Sequence, residues 1–217
     1  MKGLLLNNIY AALANTKVFS VIMLLFGVVT VASAKKVPSL LLIYTQLAMI
    51  GFSLNAIASF RKDSAGKWVK YKLAMPVRRA QIIKSCFVSS FIWLIVGMAF
   101  AGIVVASSCL LHGTLFDKSI DVLSLFVMGI SISLFMCAVF FPLLYLGGEE
   151  RAEVVLIFSL ICGAAIFMGC TALVNALLPH PTLRQLILEE IALLACALLV
   201  FLLSIPLTVD IFKKMEY

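Results

Sequence analysis

Charge is scarce in this sequence, and that scarcity is the first constraint on what the chain is. Asp, Glu, Lys and Arg make up 12% of its 217 residues, against about a quarter in a soluble domain. Long apolar stretches contain none at all. Carriers coupled to protons or ions usually keep an ionisable group at membrane depth, so its absence there lowers that reading. Glu189 and Glu190, where the last apolar run begins, read as a helix start with acids near its dipole. Contact with a cationic substrate is the alternative for that pair.

Other absences remove whole classes of chemistry. There is no Gly-x4-Gly-Lys-Ser/Thr loop, so any nucleotide that drives this chain belongs on another one. There is no His-Glu-x-x-His and no Gly-x-Ser-x-Gly. The two histidines, His112 and His180, fall in expected loops, and neither has a nucleophile to activate. The six cysteines lie in or beside apolar runs with no Cys-x-x-Cys spacing. That fits neither a disulfide framework nor a zinc site, and they read as small packing residues. No catalytic residue and no metal ligand is assigned.

Apolar sequence is what the chain has. Hydrophobic residues make up 64% of it, and mean hydropathy is +1.17. A run of about 20 apolar residues spans a bilayer. Six runs qualify: Val18–Ala34, Val37–Phe60, Ser85–Leu111, Val122–Leu146, Val154–Leu178 and Leu186–Val209. They are continuous rather than alternating, which argues against a β-barrel. The expected fold is an all-α polytopic membrane protein, one domain over residues 1–217. Ala32-Ser33-Ala34 mimics a signal-peptidase site, but 17 residues before the apolar run are long for a signal, so the run is read as a span.

Residues 1–17 precede the first span. Leu6, Ile9, Tyr10 and Leu13 form a helical stripe, while Asn7, Asn8, Asn15 and Lys17 take other positions. A helix lying in the membrane interface is expected. The pairs Gly97-x3-Ala101, Gly102-x3-Ala106 and Ala165-x3-Gly169 are small-residue spacings that let helices approach closely. Gln46, Asn55, Asn175 and several Ser and Thr are the mild polar groups inside spans; they read as interhelical hydrogen bonds, with polar points in a substrate path as the alternative.

The formal net charge of +7 would point to nucleic acid in a soluble protein. Here it reads as topology, with no nucleic-acid partner. With the N-terminus inside, the inner side carries thirteen Lys and Arg and the outer side four. Both termini are therefore expected in the cytosol.

Eight of those cations fall between Arg61 and Lys84. Asp63 or Ser64 is positioned to cap a short helix there. Trp68, Tyr71 and Met75 then share one face, with Lys67, Lys70 and Lys72 elsewhere, and Pro76 ends it. Such a helix suits two roles: an interfacial anchor on anionic lipid, or a dock on a cytosolic protein.

The N-terminal interface helix, the six spans and this loop together resemble permeases of the ABC type 2 exporter family. The residues that carry the resemblance are Trp68, Tyr71, Met75, Pro76, Arg79, Gln81, Ile82 and Ile83. Arg78 and Cys86 depart from that pattern, which more often has Ser or Thr and Lys at these places. A second match runs from Pro142 to Gly147-Gly148-Glu149-Glu150-Arg151-Ala152-Glu153, and a third covers the tail from Ser204 to Lys214. Among such permeases the chain is most similar to those of phenol-soluble modulin exporters in Gram-positive bacteria.

The resemblance implies a function. Residues 1–17 become an elbow helix and 61–84 a coupling segment. Trp68, Tyr71, Met75, Pro76, Arg79, Gly148, Glu149 and Arg151 become contacts with a separate ABC ATPase, which would bind ATP and Mg. Two permease copies, alike or different, would form the path in the bacterial cytoplasmic membrane. Amphipathic peptides or other hydrophobic molecules would be the cargo. A vitamin importer's substrate-binding subunit is the alternative, but the first span lacks the Ala-x3-Ala expected of that class.

Overall fold

In a computed structural model, residues 2–65, 79–113, 119–147, 151–177 and 183–214 are described, and they are helical almost throughout. Six long helices follow one another: α1 (Lys2–Ser33), α2 (Ser39–Ala65), α3 (Arg79–His112), α4 (Ser119–Gly147), α5 (Ala152–Leu177) and α6 (Leu183–Lys214). Each contains a stretch long and apolar enough to cross a membrane. No strand occurs among the described residues. Without water, every backbone N–H and C=O must be satisfied within the segment, and a helix does this alone.

Successive helices run in opposite directions, which gathers their ends into two sets. At one end Asn8 of α1 meets Ser85 of α3, and Tyr145 of α4 stacks edge-on against Phe212 of α6 with centroids 5.1 Å apart. Both terminal segments lie here. At the other end His112 Nε2 sits 2.9 Å from the Val31 carbonyl oxygen, and Ala34, Leu41 and Val105 pack together. Gly113 closes α3 there with φ of 78°, and its N–H bonds back to the Cys109 carbonyl at 3.0 Å. A positive φ suits glycine because it has no Cβ.

The core sits where α2, α3 and α4 meet, flanked by α1 and α6. Phe87 of α3 lies 4.4 Å from Phe141 of α4 and 5.2 Å from Phe201 of α6, centroid to centroid. Glycine lets backbones close in at two crossings. A methyl group on Gly97 would lie 2.9 Å from the Ala48 carbonyl oxygen of α2. One on Gly163 of α5 would lie 2.9 Å from the Met136 backbone nitrogen of α4.

Of the three small-residue pairs, only Gly97-x3-Ala101 makes the close approach expected of it. Gly102 and Gly169 face open space, and Ala106 and Ala165 are exposed. Spacing marks where a helix is narrow, not whether a neighbour uses the narrow place. Gln46 does bridge helices, its Nε2 donating to the Leu125 carbonyl of α4 at 2.9 Å. Asn55 instead bonds within α2, to the Gly51 carbonyl at 2.9 Å. The side chain of Asn175 lies outside the described residues. His112 is the last residue of α3 rather than a loop residue, and His180 lies outside the described residues. Glu189 and Glu190 stand beyond the first turn of α6, which begins at Leu183. The dipole account therefore fails for them, since that effect fades after one turn.

Candidate functional site: the end of the bundle that carries both termini

The C-terminal ends of α2 and α4 and the N-terminal ends of α3 and α5 lie at the end of the bundle where the terminal segments lie, and in sequence segments 66–78 and 148–150 join them. Trp68, Tyr71, Met75, Pro76, Gly148 and Glu149 lie in these segments, outside the described residues. Arg79 is the first residue of α3. Arg151 is exposed and immediately precedes α5. The structure thus brings Arg79 and Arg151 to one end of the molecule, as the sequence requires.

What supports this end is well described. α2 continues to Ala65, so Asp63 and Ser64 are residues of α2, and the short helix expected after them lies outside the described residues. The spanning helix is simply longer than its apolar run. Where α3 begins, Ile82 and Ile83 are buried, at 7% and 0% exposure. These two members of the Gln-Ile-Ile motif therefore serve the core, while Gln81 is half-buried.

The expected N-terminal helix is present as Gly3–Leu13 and leads without a break into the first span. Of its apolar stripe, Leu6 and Tyr10 are exposed, at 55% and 65%, and Ile9 and Leu13 pack against the core, while Asn8 and Ala12 are buried. Asn8 Nδ2 donates to Ser85 Oγ at 3.2 Å and approaches Cys86 Sγ at 3.9 Å. Ser85 Oγ in turn donates to the Ile82 carbonyl at 2.7 Å. The first helix is thereby tied to the base of the helix that follows the 66–78 segment. Sequence reasoning placed Asn8 on the polar side. The only available signal was its i, i+4 spacing to Ala12 and Thr16, a small-and-polar stripe beside the apolar one.

Beside this tie lies a cleft of about 480 Å³ between the base of α3 and the last turns of α6. Ala80, Pro206 and Val209 form its apolar part, and Lys84, Asp210 and Lys213 its rim. Lys213 pairs with Asp210 at 3.8 Å, both side chains well exposed. Such a pair contributes little to stability. No group of three or more His, Cys, Asp or Glu able to hold a metal occurs among the described residues.

At this end the last residues of α2 and α4 and the first residues of α3 and α5 come together, and a buried polar contact links the first helix to the third. No curated protein and no solved structure matches the chain. A family described as ABC-2 family transporter protein matches it over residues 3–213.

Proposed function

Because the chain belongs to the ABC-2 transporter family, we propose that it is the membrane-spanning permease of an exporter driven by a separate ABC ATPase. The family match over residues 3–213 carries this reading. The vitamin-importer alternative finds no support in it. ATP and Mg belong to the ATPase in this proposal, and their hydrolysis supplies the drive.

This chain's own parts receive and transmit that drive. Trp68, Tyr71 and Met75 form the face that docks on the ATPase, Pro76 ends the docking helix, and Arg79 starts the helix that carries the motion away. Gly148, Glu149 and Arg151 form the second contact. The helix ends that flank segments 66–78 and 148–150 lie at one end of the bundle, which supports the pairing of these two contacts. That end faces the cytosol, in keeping with the thirteen-to-four division of Lys and Arg.

Two copies of the chain would enclose the path, because six helices packed on a shared core leave no wide central opening. The walls available for it are apolar: Val21 and Leu25 on α1 and Leu199 on α6 are more than half exposed. Such walls suit amphipathic peptides or other hydrophobic cargo drawn from the cytosol or inner leaflet of a Gram-positive plasma membrane.

The double substitution Trp68→Ala with Tyr71→Ala tests the docking face. Co-purification with the co-expressed ATPase should fall, or ATP hydrolysis should continue without export. Normal assembly together with normal export would overturn the assignment.

A further inference from the structure

The cleft between the base of α3 and the last turns of α6 has two unlike halves. Leu202, Ile205, Pro206 and Val209 recur along one face of α6 and form an apolar strip about two turns long. Lys84 of α3 and Asp210 and Lys213 of α6 form a charged edge at the end of that strip. The packing of α3 on α6 explains the gap. Phe201 meets Phe87 and Phe91 with centroids 5.2 and 6.4 Å apart. Nearer the termini α3 turns only Ala80 and Lys84 toward the cleft, and neither fills it. Leu202 is 56% exposed and Pro206 is exposed as well, so the strip opens sideways.

The charged edge stands where the membrane ends. The spans of α3 and α6 are Ala80–His112 and Leu183–Lys214. Lys84, Asp210 and Lys213 all fall within about 6 Å of Ala80 or Lys214 along their helices. The apolar runs agree, since they start at Ser85 and stop at Val209.

Two cations and one anion leave this edge net positive. Asp210 opposes an incoming anion, but it is paired with Lys213, at 3.8 Å. Both of those side chains are well exposed, so the pair is weak and the Lys213 ammonium can share its donors. Lys84 makes no ion pair among the described residues.

We infer that this cleft holds an anionic phospholipid, with its phosphate between Lys84 and Lys213 and the start of one acyl chain along Leu202, Ile205 and Pro206. A free phosphate would meet the lysines and leave the strip uncovered. An acidic peptide would bring backbone N–H and C=O groups that the strip cannot satisfy. A zwitterionic lipid would cover the strip but carry a cation to a positive edge. An anionic lipid matches both halves, and basic residues at a membrane surface attract it. This site needs neither the cargo nor the ATPase.

Photolabelling of the full chain in vesicles of phosphatidylglycerol and phosphatidylcholine in equal parts tests this. One of the two lipids carries a diazirine near the carboxyl end of an acyl chain. The phosphatidylglycerol probe should label residues 202–206 several-fold more than the phosphatidylcholine probe does. Both should label Ile157 and Ile161 of α5 alike. Lys84→Gln and Lys213→Gln should each lower phosphatidylglycerol labelling of the cleft about fivefold. Lys214→Gln removes the same charge beside the cleft but outside it, and should change the labelling by less than about twofold. Asp210→Asn should leave it unchanged or raise it. All four side chains are exposed, so these variants keep the core intact. Equal labelling of the cleft by the two probes would overturn the proposal, as would indifference to Lys84→Gln. A loss in Lys214→Gln as large as that in Lys213→Gln would also overturn it, because general surface charge would then suffice. So would loss of labelling on adding inorganic phosphate at constant ionic strength, which would assign the lysines to a soluble anion.

Discussion

α4 and α5 are neighbours in sequence, and their spans have the same mean hydropathy, 2.4. Yet 61% of the α4 span is buried against 17% of the α5 span. α4 packs against α2, α5 and α6, and Leu134, Phe135, Met136, Phe140 and Phe141 are all at or below 1% exposure. On α5, Ile157, Phe158, Ile161 and Leu173 are more than half exposed. In a bilayer, apolar side chains gain nothing by leaving lipid for protein, so hydropathy cannot sort the two helices. Shape and hydrogen bonding can. α4 offers Gly129, Ser131, Ser133 and Ala138 along its length, and Gly129 lies directly against Met49 of α2. On α5 the buried small residues are Ala152, Ser159 and Gly163, and its narrowest point is Gly163, set against the α4 backbone.

That narrow point is where the comparison is most easily broken. Gly163→Leu would drive a side chain into the α4 backbone, and should cost about 3 kcal/mol, the upper part of the overpacking range. Gly169→Leu on the same helix faces open space and should be silent. Reversible unfolding in SDS–detergent mixtures reads both, and equal effects would mean that α5 does not contact α4 through Gly163.

A smaller effect separates the two helices themselves. Phe135→Ala in α4 leaves a void, worth on the order of 2 kcal/mol at ~24 cal/mol per Å³ over roughly 100 Å³. Phe158→Ala on the outer face of α5 exchanges a ring for lipid and should lie within about 0.5 kcal/mol of the parent. Similar losses in the two variants would contradict the burial contrast.

The smallest expected effect sharpens the role of hydrogen bonds. Ser204 Oγ of α6 donates to the Ala138 carbonyl of α4 at 2.7 Å. Ser204→Ala should cost about 0.6 kcal/mol, the typical value for such bonds in membranes. Ser159 of α5 bonds only to its own helix, at the Leu156 carbonyl, and Ser159→Ala should cost less. The same unfolding assay decides the order.

The same physics separates what was legible in the sequence from what was not. The six spans and their approximate limits follow from unbroken apolar runs between charges; Ser85–Leu111 lies wholly within α3. Both ends of α3 exceed that run, because helix continues past the point where apolar residues stop. Which face turns inward was not legible. Asn8 read as one of the polar positions beside the Leu6–Tyr10 stripe, whereas it is buried, since an exposed Leu costs nothing beside lipid and a paired Asn gains a bond. Gly97 and Gly102 look alike in sequence, and only the first meets a neighbour. For the junction, the sequence placed Arg79 and Arg151 at a shared end, and the helices agree; the remaining coupling residues lie in segments 66–78 and 148–150, outside the described residues.

The bond between Asn8 and Ser85 spans 77 residues of sequence, and this has a consequence for how the chain is made. At ~5–20 residues per second, roughly 4 to 15 s separate the synthesis of its two partners. Two complete spans leave the ribosome in that interval. The first helix can therefore enter the membrane, but its leading turn has nothing to hold until the third helix arrives. Assembly of this end of the molecule is a late event, timed by translation rather than by the membrane.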